Sequence, residues 1–182
     1  MDESIQDNNE NSLASDQAVP EEQYLQINLN NESPFLLPVT DLVELMKFPL
    51  NQVVPIFQMP PWVVGVYNWR GDMLWIVDLS HFFDLVPWYE QAETAAKHTV
   101  VVIQPTEASP QEKLPAMLGL VVSEVASIVA YPKDSIQPMP NAAPLAPGVW
   151  PFLQGGCGYE AGQLSWVLNS QAILAAVSQA HG

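Results

Sequence analysis

The stretch MPPWVVGVYNWRGDMLWIVDLSHFFDL, residues 59–85, contains the pattern on which the predicted fold depends most. Two apolar runs of strand length, Trp62–Tyr67 and Met73–Leu79, flank residues 68–72, which have turn-forming side chains at both ends. This arrangement predicts a β-hairpin. Arg70 lies in the predicted turn, and it is the only arginine among 182 residues with a formal net charge of -15. The sequence therefore places its single guanidinium on a tight connection between two apolar strands.

Further short apolar runs and many prolines surround this hairpin. Alternation and β-branched content predict additional strands. Thr40–Phe48 fits either a helix capped by Thr40 or another strand, and residues 132–151, which hold six of the 17 prolines, are predicted to be irregular. The additional strands are expected at Tyr24–Leu29, Phe35–Val39, Thr99–Ile103, Met117–Val122 and Leu164–Leu168.

Two helix starts are predicted from capping residues. Ser80 is expected to cap a short helix after the hairpin, and Asp78 is expected to accept backbone hydrogens at that junction. Near the C-terminus, Asn169 or Ser170 is expected to cap a helix. The residues expected on the buried face of this second helix are Ile173, Leu174 and Val177.

The order of elements occurs twice along the chain. A strand, a loop, a strand, a Pro-rich loop, a glycine hairpin, a strand and a short helix are followed by a second series of the same kind. Many short strands with little helix favour small β-barrels over a parallel sheet. The sequence therefore predicts two pseudo-repeated barrels. The equivalent pairs are Gly71 with Gly162, Trp75 with Trp166, and Asp78 with Asn169.

Composition excludes several classes of partner. Five Lys and Arg against 20 Asp and Glu repel a phosphate backbone, so neither nucleic acid nor an anionic membrane surface is expected to bind. No apolar run approaches the ~18–20 residues that span a bilayer, and no secretory signal is recognisable. Residues 1–22 carry seven acids and no base, which predicts a disordered acidic tail. The protein is expected in the cytoplasm.

The residues that could carry catalysis do not form a set. Cys157 is the only cysteine, which excludes an internal disulfide and a thiolate metal cluster. His81, His98 and His181 lack the spacing of metal ligands, and no phosphate-binding glycine loop occurs. A small enzyme that uses Cys157 with His98 is the remaining catalytic alternative. We expect a non-enzymatic protein without metal or cofactor.

The turn that carries Arg70 allows two roles for the guanidinium. Asn68 and Gly71 are expected to adopt positive φ, so that Arg70 projects from a tight turn. The guanidinium then either pairs with one of the chain's own carboxylates or offers its donors to a carboxylate of a partner. Trp69, beside the arginine, is a candidate exposed residue.

Residues 59–85 resemble the signature of CheW-like domains, with an apolar pair leading to an Asn-x-Arg-Gly turn and then a strand ending in Val-Asp-Leu. Upstream, YLQINL (24–29) and LPVTDLVEL (37–45) are similar to the first two strands of that family. Downstream, MLGLVVSEVASIVAYPKDSIQPMP (117–140) is similar to a later strand and Pro-rich loop. The predicted CheW-like domain covers residues 23–177. The matching signature residues are Gly65, Val66, Asn68, Arg70, Gly71, Val77, Asp78 and Leu79.

The resemblance implies a fold and a function. The fold is all-β, with two five-stranded SH3-like barrels and short helices. The function is a non-enzymatic adapter that joins the cytoplasmic tip of a methyl-accepting chemoreceptor to the regulatory domain of a CheA-type histidine kinase, at membrane-associated receptor arrays. A scaffold that binds only the kinase or only the receptor is the alternative. The acidic, tryptophan-rich chain suggests service in pilus-based motility or phototaxis instead of flagellar chemotaxis.

The resemblance also implies where partners bind. Arg70 matches an arginine implicated in receptor coupling, and Glu44, which the resemblance places near it, is expected to hold it. Leu42 and Glu44 match family residues near the receptor and kinase contacts. With Asn68 and Trp69 of the turn, these residues form the predicted partner-binding set.

Overall fold

The computed structural model of the chain describes residues 20–29, 34–91, 97–106, 117–139, 145–158 and 164–180. These residues form ten strands and two α-helices, joined by turns and 3-10 helices. In chain order the elements are β1 (Glu21–Asn28), β2 (Phe35–Pro38), β3 (Leu42–Phe48), β4 (Val63–Trp69), β5 (Asp72–Asp78), α1 (Leu79–Phe82), β6 (His98–Ile103), β7 (Leu118–Val122), β8 (Glu124–Pro132), β9 (Leu153–Gly158), β10 (Leu164–Leu168) and α2 (Ser170–Gln179).

The strands form two five-stranded sheets. Sheet A has the order β8-β1-β2-β10-β9, and sheet B has the order β3-β6-β7-β5-β4. Neighbouring strands are antiparallel except for one parallel pair in each sheet, β2 with β10 and β5 with β7. The predicted all-β class with two five-stranded lobes is confirmed.

Each sheet curves until its edges meet around its own small core. In sheet B, Phe48 of the edge strand β3 stacks on Tyr67 of the other edge strand β4, with ring centroids 4.3 Å apart. In sheet A, Tyr24 and Cys157 lie in one buried cluster with Tyr131 of the edge strand β8. Side chains from both edges thus fill the same interior, as in a small barrel.

A larger core lies between the two sheets and unites them. Leu25 and Phe35 of sheet A pack in the same buried cluster as Val77 and Leu120 of sheet B. The helices close this core, since Phe83 follows α1 and the predicted inner face of α2 is fully buried. Burying an aliphatic or aromatic side chain contributes about 1.5–3 kcal/mol, so this shared core holds the two barrels as one body.

Each of the two sequence repeats contributes strands to both sheets. The first repeat runs from β1 to α1 and the second from β6 to α2. In each repeat the first two strands pair within the sheet that is otherwise built by the other repeat. Thus β1 and β2 join β8, β9 and β10, whereas β6 and β7 join β3, β4 and β5. Each barrel therefore contains strands from both repeats.

Several predicted elements are settled by the structure. Of the two readings of Thr40–Phe48, the strand is correct, because β3 follows a 3-10 turn at Val39–Asp41 and pairs along β6. The expected cap at Ser80 is wrong: Asp78 is the capping residue of α1, and Ser80 donates its backbone N–H to it. Asn169, one of the two residues considered, caps α2.

Two strands were not predicted. β8 leaves most of its side chains exposed or half-buried, so its hydrophobic alternation is faint. β9 has the sequence LQGGCG, and glycine is a poor strand former. Two 3-10 helices, Lys133–Ser135 and Pro147–Phe152, lie within or at the end of the segment predicted to be irregular.

The chain ends bear on two further predictions. β1 begins at Glu21, so residues 21 and 22, assigned above to the acidic tail, belong to a strand. The rest of the predicted tail, residues 1–19, lies outside the described residues. Among the described helices, none has both the length and the apolar character needed to cross a bilayer.

Candidate docking site on the arginine hairpin

The hairpin of β4 and β5 ends in a two-residue turn. Trp69 pairs with Asp72, which leaves Arg70 and Gly71 as the connection. Their φ angles are 55° and 96°, and positive φ at both positions is the type I′ geometry that matches strand twist. The expectation that Asn68 adopts positive φ is wrong: Asn68 stays in β4, and its Oδ1 accepts the N–H of Gly71 at 3.1 Å. Arg70 itself takes the left-handed conformation.

Three side chains converge at this turn, and we call Glu44, Trp69 and Arg70 the arginine cluster. Glu44 Oε2 accepts from Arg70 Nη2 at 2.8 Å and from Trp69 Nε1 at 3.1 Å. The Arg70 guanidinium carbon also lies 4.6 Å from the centre of the Trp69 ring. Because Glu44 belongs to β3 and Trp69 to β4, the arginine cluster forms where the two edges of sheet B meet.

The arginine is oriented but not enclosed. The Arg70 side chain is 68% exposed and that of Glu44 is 32% exposed. An exposed ion pair of this kind contributes about 0–1 kcal/mol to the free energy of unfolding. The pair therefore adds little to the stability of the fold. A guanidinium has five donors, and the contact with Glu44 uses one nitrogen. Both roles considered for Arg70 are therefore compatible: it pairs internally and still presents donors to solvent.

The other predicted site residues have different surroundings. Asn68 is exposed and fixes the turn through Gly71. Leu42 is half-buried, lies opposite Ile103 and packs against the core between the sheets. The structure thus brings Glu44, Trp69 and Arg70 together, with Asn68 supporting the turn, while Leu42 contributes to packing at the start of β3.

Exposed apolar residues near this hairpin were missed by the sequence reasoning. Met73 lies two residues after the turn and opposite Asn68, and Phe57 projects from the loop before β4. A signal was present in the sequence, because residues 45–71 contain Lys47 and Arg70 but no Asp or Glu. In so acidic a chain, a long stretch without acids marks a distinct surface.

A polar cleft lies behind the hairpin at the end of β5. Asp78 is buried there, with Oδ1 accepting from Ser80 N at 3.0 Å and Oδ2 from Trp88 N at 2.9 Å. Burial raises the pKa of Asp78, although these hydrogen bonds oppose the shift. His98 lines the same cleft against Trp88, and burial lowers its pKa. These contacts of Asp78 are with backbone N–H groups of its own chain, as expected for a capping carboxylate.

The catalytic alternative does not agree with the structure. Cys157 lies inside the sheet A barrel, whereas His98 begins β6 of sheet B. Burial raises the pKa of the Cys157 thiol, which disfavours the reactive thiolate. Within the described residues, no group of three or more His, Cys, Asp or Glu side chains is arranged to hold a metal ion.

Two small barrels around one shared core, with a fixed and exposed hairpin on one of them, have the geometry of an interaction module. Residues 23–178 match the family model of the CheW-like domain, and the chain belongs to this family. Proteins of the family are non-enzymatic scaffolds of chemotaxis signalling, which confirms the predicted resemblance and the predicted non-enzymatic class.

Two individual relatives support the assignment. The chemotaxis protein CheW of Rhizobium meliloti (strain 1021) is 32% identical over 89 residues, which are 49% of this chain and 50% of the relative. The chain thus spans about half the length of this curated relative. The solved structure of the scaffolding protein TtCheW from Thermoanaerobacter tengcongensis is similar with a TM-score of 0.64, covering 82% of this chain and 89% of that one. At 17% identity, this second likeness concerns the fold.

Proposed function

We propose that the chain couples the cytoplasmic tip of a methyl-accepting chemoreceptor to the regulatory domain of a CheA-type histidine kinase. The observation that carries the proposal is the arginine cluster, in which Glu44 and Trp69 fix Arg70 while most of its side chain stays exposed. A docking arginine has these two properties: a defined direction and unused donors. The family membership supplies the class of partner.

The docking step is a reversible association at the arginine hairpin. A carboxylate on the helical receptor tip takes the donors of Arg70 that Glu44 leaves open, since arginine favours bidentate contact with carboxylates. The type I′ turn and the Glu44 contact fix the guanidinium before binding. Less side-chain entropy is then lost on association. Asn68, Trp69 and Glu44 act by holding this geometry, and Leu42 supports the start of the Glu44 strand.

The same protein must hold the kinase through another surface, because a coupler binds both partners at once. Contacts of modest area give weak pairwise binding. Assembly of many receptors, kinases and adapters raises the effective concentration and makes the array stable. We place the protein in the cytoplasm at such membrane-associated arrays, serving pilus-based motility or phototaxis.

The proposal is tested by pull-down with two separate fragments, a receptor tip and a kinase regulatory domain. Wild-type protein is expected to retain both. Arg70→Glu is expected to lose most of the receptor binding and to retain the kinase fragment. Lys133→Glu is the matched control, because Lys133 lies in the 3-10 helix that follows β8 of sheet A, its side chain is 63% exposed, and the substitution changes the charge by the same amount. If wild-type protein retains only one fragment, the chain is a single-partner scaffold and the coupling proposal is wrong.

A further inference from the structure

The loop between β3 and β4 carries an apolar projection. Val54, Ile56 and Phe57 are 61%, 41% and 95% exposed. Single exposed apolar residues are ordinary on protein surfaces. Three within four positions, with an almost fully exposed phenyl ring at the tip, mark an interaction site. We call residues 54–60 the Phe57 loop.

The Phe57 loop is held rigidly at its base. Val54 and Val66 exchange two backbone hydrogen bonds, at 2.8 and 2.9 Å, which attach the loop to the free side of β4. Gly65 permits this approach, because a Cβ there would overlap the carbonyl oxygen of Val54. Val53 is buried in the sheet B core just before the loop. A ring presented from so fixed a base loses little conformational entropy when it binds.

Charge indicates what kind of surface the loop meets. The chain carries 20 acids, yet residues 45–71 contain none and include Lys47 and Arg70. The carboxylates that border this stretch are those of Glu44, which pairs with Arg70, and Asp72. Lys47 and the unused donors of Arg70 still offer positive charge to an acidic partner. A surface with an apolar hole flanked by carboxylates is complementary to this stretch.

The base of the Phe57 loop pairs with β4, the strand that leads to Arg70. The loop pairs with Val66, and Arg70 follows the end of β4, four residues further on. At roughly 3.3 Å per residue these points are about 13 Å apart. Helices packed side by side present holes of the size of one side chain.

We propose that Phe57 inserts into an apolar hole between helices of the same receptor tip whose carboxylate binds Arg70. This inference rests on the proposed function and adds a second anchor to it. Arg70 supplies direction through charge, and Phe57 supplies affinity by burying its ring. The receptor tip would offer both the hole and the carboxylate to sheet B.

Binding of a helical receptor-tip fragment, measured by calorimetry, tests this inference. Phe57→Ala is expected to raise the dissociation constant about tenfold or more, as truncation of an interface anchor does. Its thermal unfolding should match wild type, because the ring is exposed. Ile128→Ala is the control: Ile128 is an exposed apolar residue on β8 of sheet A, and its loss should change the dissociation constant less than twofold.

The outcomes separate this inference from the function on which it rests. If wild-type protein binds the receptor fragment and Phe57→Ala binds it equally well, the second anchor is wrong and the coupling function stands. If wild-type protein does not bind the receptor fragment at all, both fall. If Phe57→Ala instead weakens binding of the kinase fragment, or dissociates a self-associated form seen by sedimentation, the ring serves another partner and the inference is overturned.

Discussion

The two hairpin corners of the molecule repeat one backbone construction. In sheet B, Val54 of the preceding loop exchanges two hydrogen bonds with Val66, at 2.8 and 2.9 Å. In sheet A, Gln137 does the same with Gly156, at 2.8 and 2.9 Å. The weak sequence repeat therefore reflects a strong structural one. A loop is fastened to the outer side of a hairpin in the same way in both barrels.

A glycine at each corner permits the close approach of the loop to the hairpin. Gly65 pairs with Ile76 and Gly155 with Val167, at equivalent positions of the two hairpins. A Cβ on Gly65 would overlap the carbonyl oxygen of Val54, and a Cβ on Gly155 would overlap that of Gln137. Each glycine is thus required by a close backbone approach.

The side chains at the two corners differ. Asp78 accepts hydrogen bonds from Ser80 and Trp88, whereas the neutral Asn169 accepts one from Ala172. Trp75 is half-buried, while Trp166 is fully buried. The corner in sheet B also presents Arg70. The comparison shows that the backbone and its glycines build both barrels, and that the residues at the cap and the tip distinguish them.

Disrupting the close backbone contact between each loop and its hairpin should have the largest effect on stability. Gly65→Ala is expected to lower the free energy of unfolding by roughly 3–4 kcal/mol, since the overlap is added to strain at a φ of 143°. Gly155→Ala, with the overlap alone, should cost about 2–3 kcal/mol. Gly158→Ala is the control, because a Cβ there meets nothing within 4 Å. Denaturant titration measures all three, and equal values would contradict the assigned role of the glycines.

Removing the caps should have the next largest effect and should distinguish the corners. Asp78→Ala leaves two backbone donors without their acceptor and is expected to cost about 2–3 kcal/mol. Asn169→Ala removes one such bond and should cost about 1 kcal/mol. The free energies of unfolding of both variants give the comparison. A larger loss at Asn169 would show that the second contact of Asp78, with Trp88, contributes little.

The charge of the Asp78 cap predicts a pH dependence that the Asn169 cap lacks. The pKa of Asp78 is raised in the folded protein by burial, above an unfolded value near 4. Between these two pKa values the folded state binds more protons, so the contribution of Asp78 to stability falls as pH rises through this window. The stability of wild type relative to Asp78→Asn should therefore decrease from pH ~4 upward until the folded pKa is passed.

The control for this pH dependence is an exposed carboxylate. Asp134→Asn removes an exposed carboxylate and changes the net charge by the same amount. The same measurement on this variant controls for the change in net charge. A difference between wild type and Asp78→Asn that grows with pH would mean that the hydrogen bonds outweigh burial and lower the pKa instead.

The arginine cluster should have the smallest effect on stability. Because Arg70 is mostly exposed, a double-mutant cycle with Arg70→Ala and Glu44→Ala is expected to give a coupling energy of about 0.5 kcal/mol. Coupling above about 2 kcal/mol would assign the pair to the fold and weaken its proposed role in docking. The receptor pull-down described above measures the functional side of the same pair.

Much of the fold could be predicted where local pattern decides it. The hairpin at Arg70, the last strand at Leu164–Leu168 and the buried face of α2 follow from alternation, turn residues and capping. β8 and β9 could not be recognised, because glycines and exposed side chains remove the local signal. These strands form through pairing with β1 and β10, which the linear pattern does not reveal.

The candidate site likewise has one part that could be predicted from sequence and one part that could not. A tight turn with one guanidinium could be predicted from the residues alone, and the family signature suggested Glu44 as its neighbour. The contact between Arg70 and Glu44 depends on the folded chain, since the two residues are 26 positions apart and touch where the edges of sheet B close. The exchange of strand pairs between repeats was likewise decided by the shared core, because burial between sheets depends on contacts far apart in the chain. Local preference sets the elements, and long-range packing sets their partners.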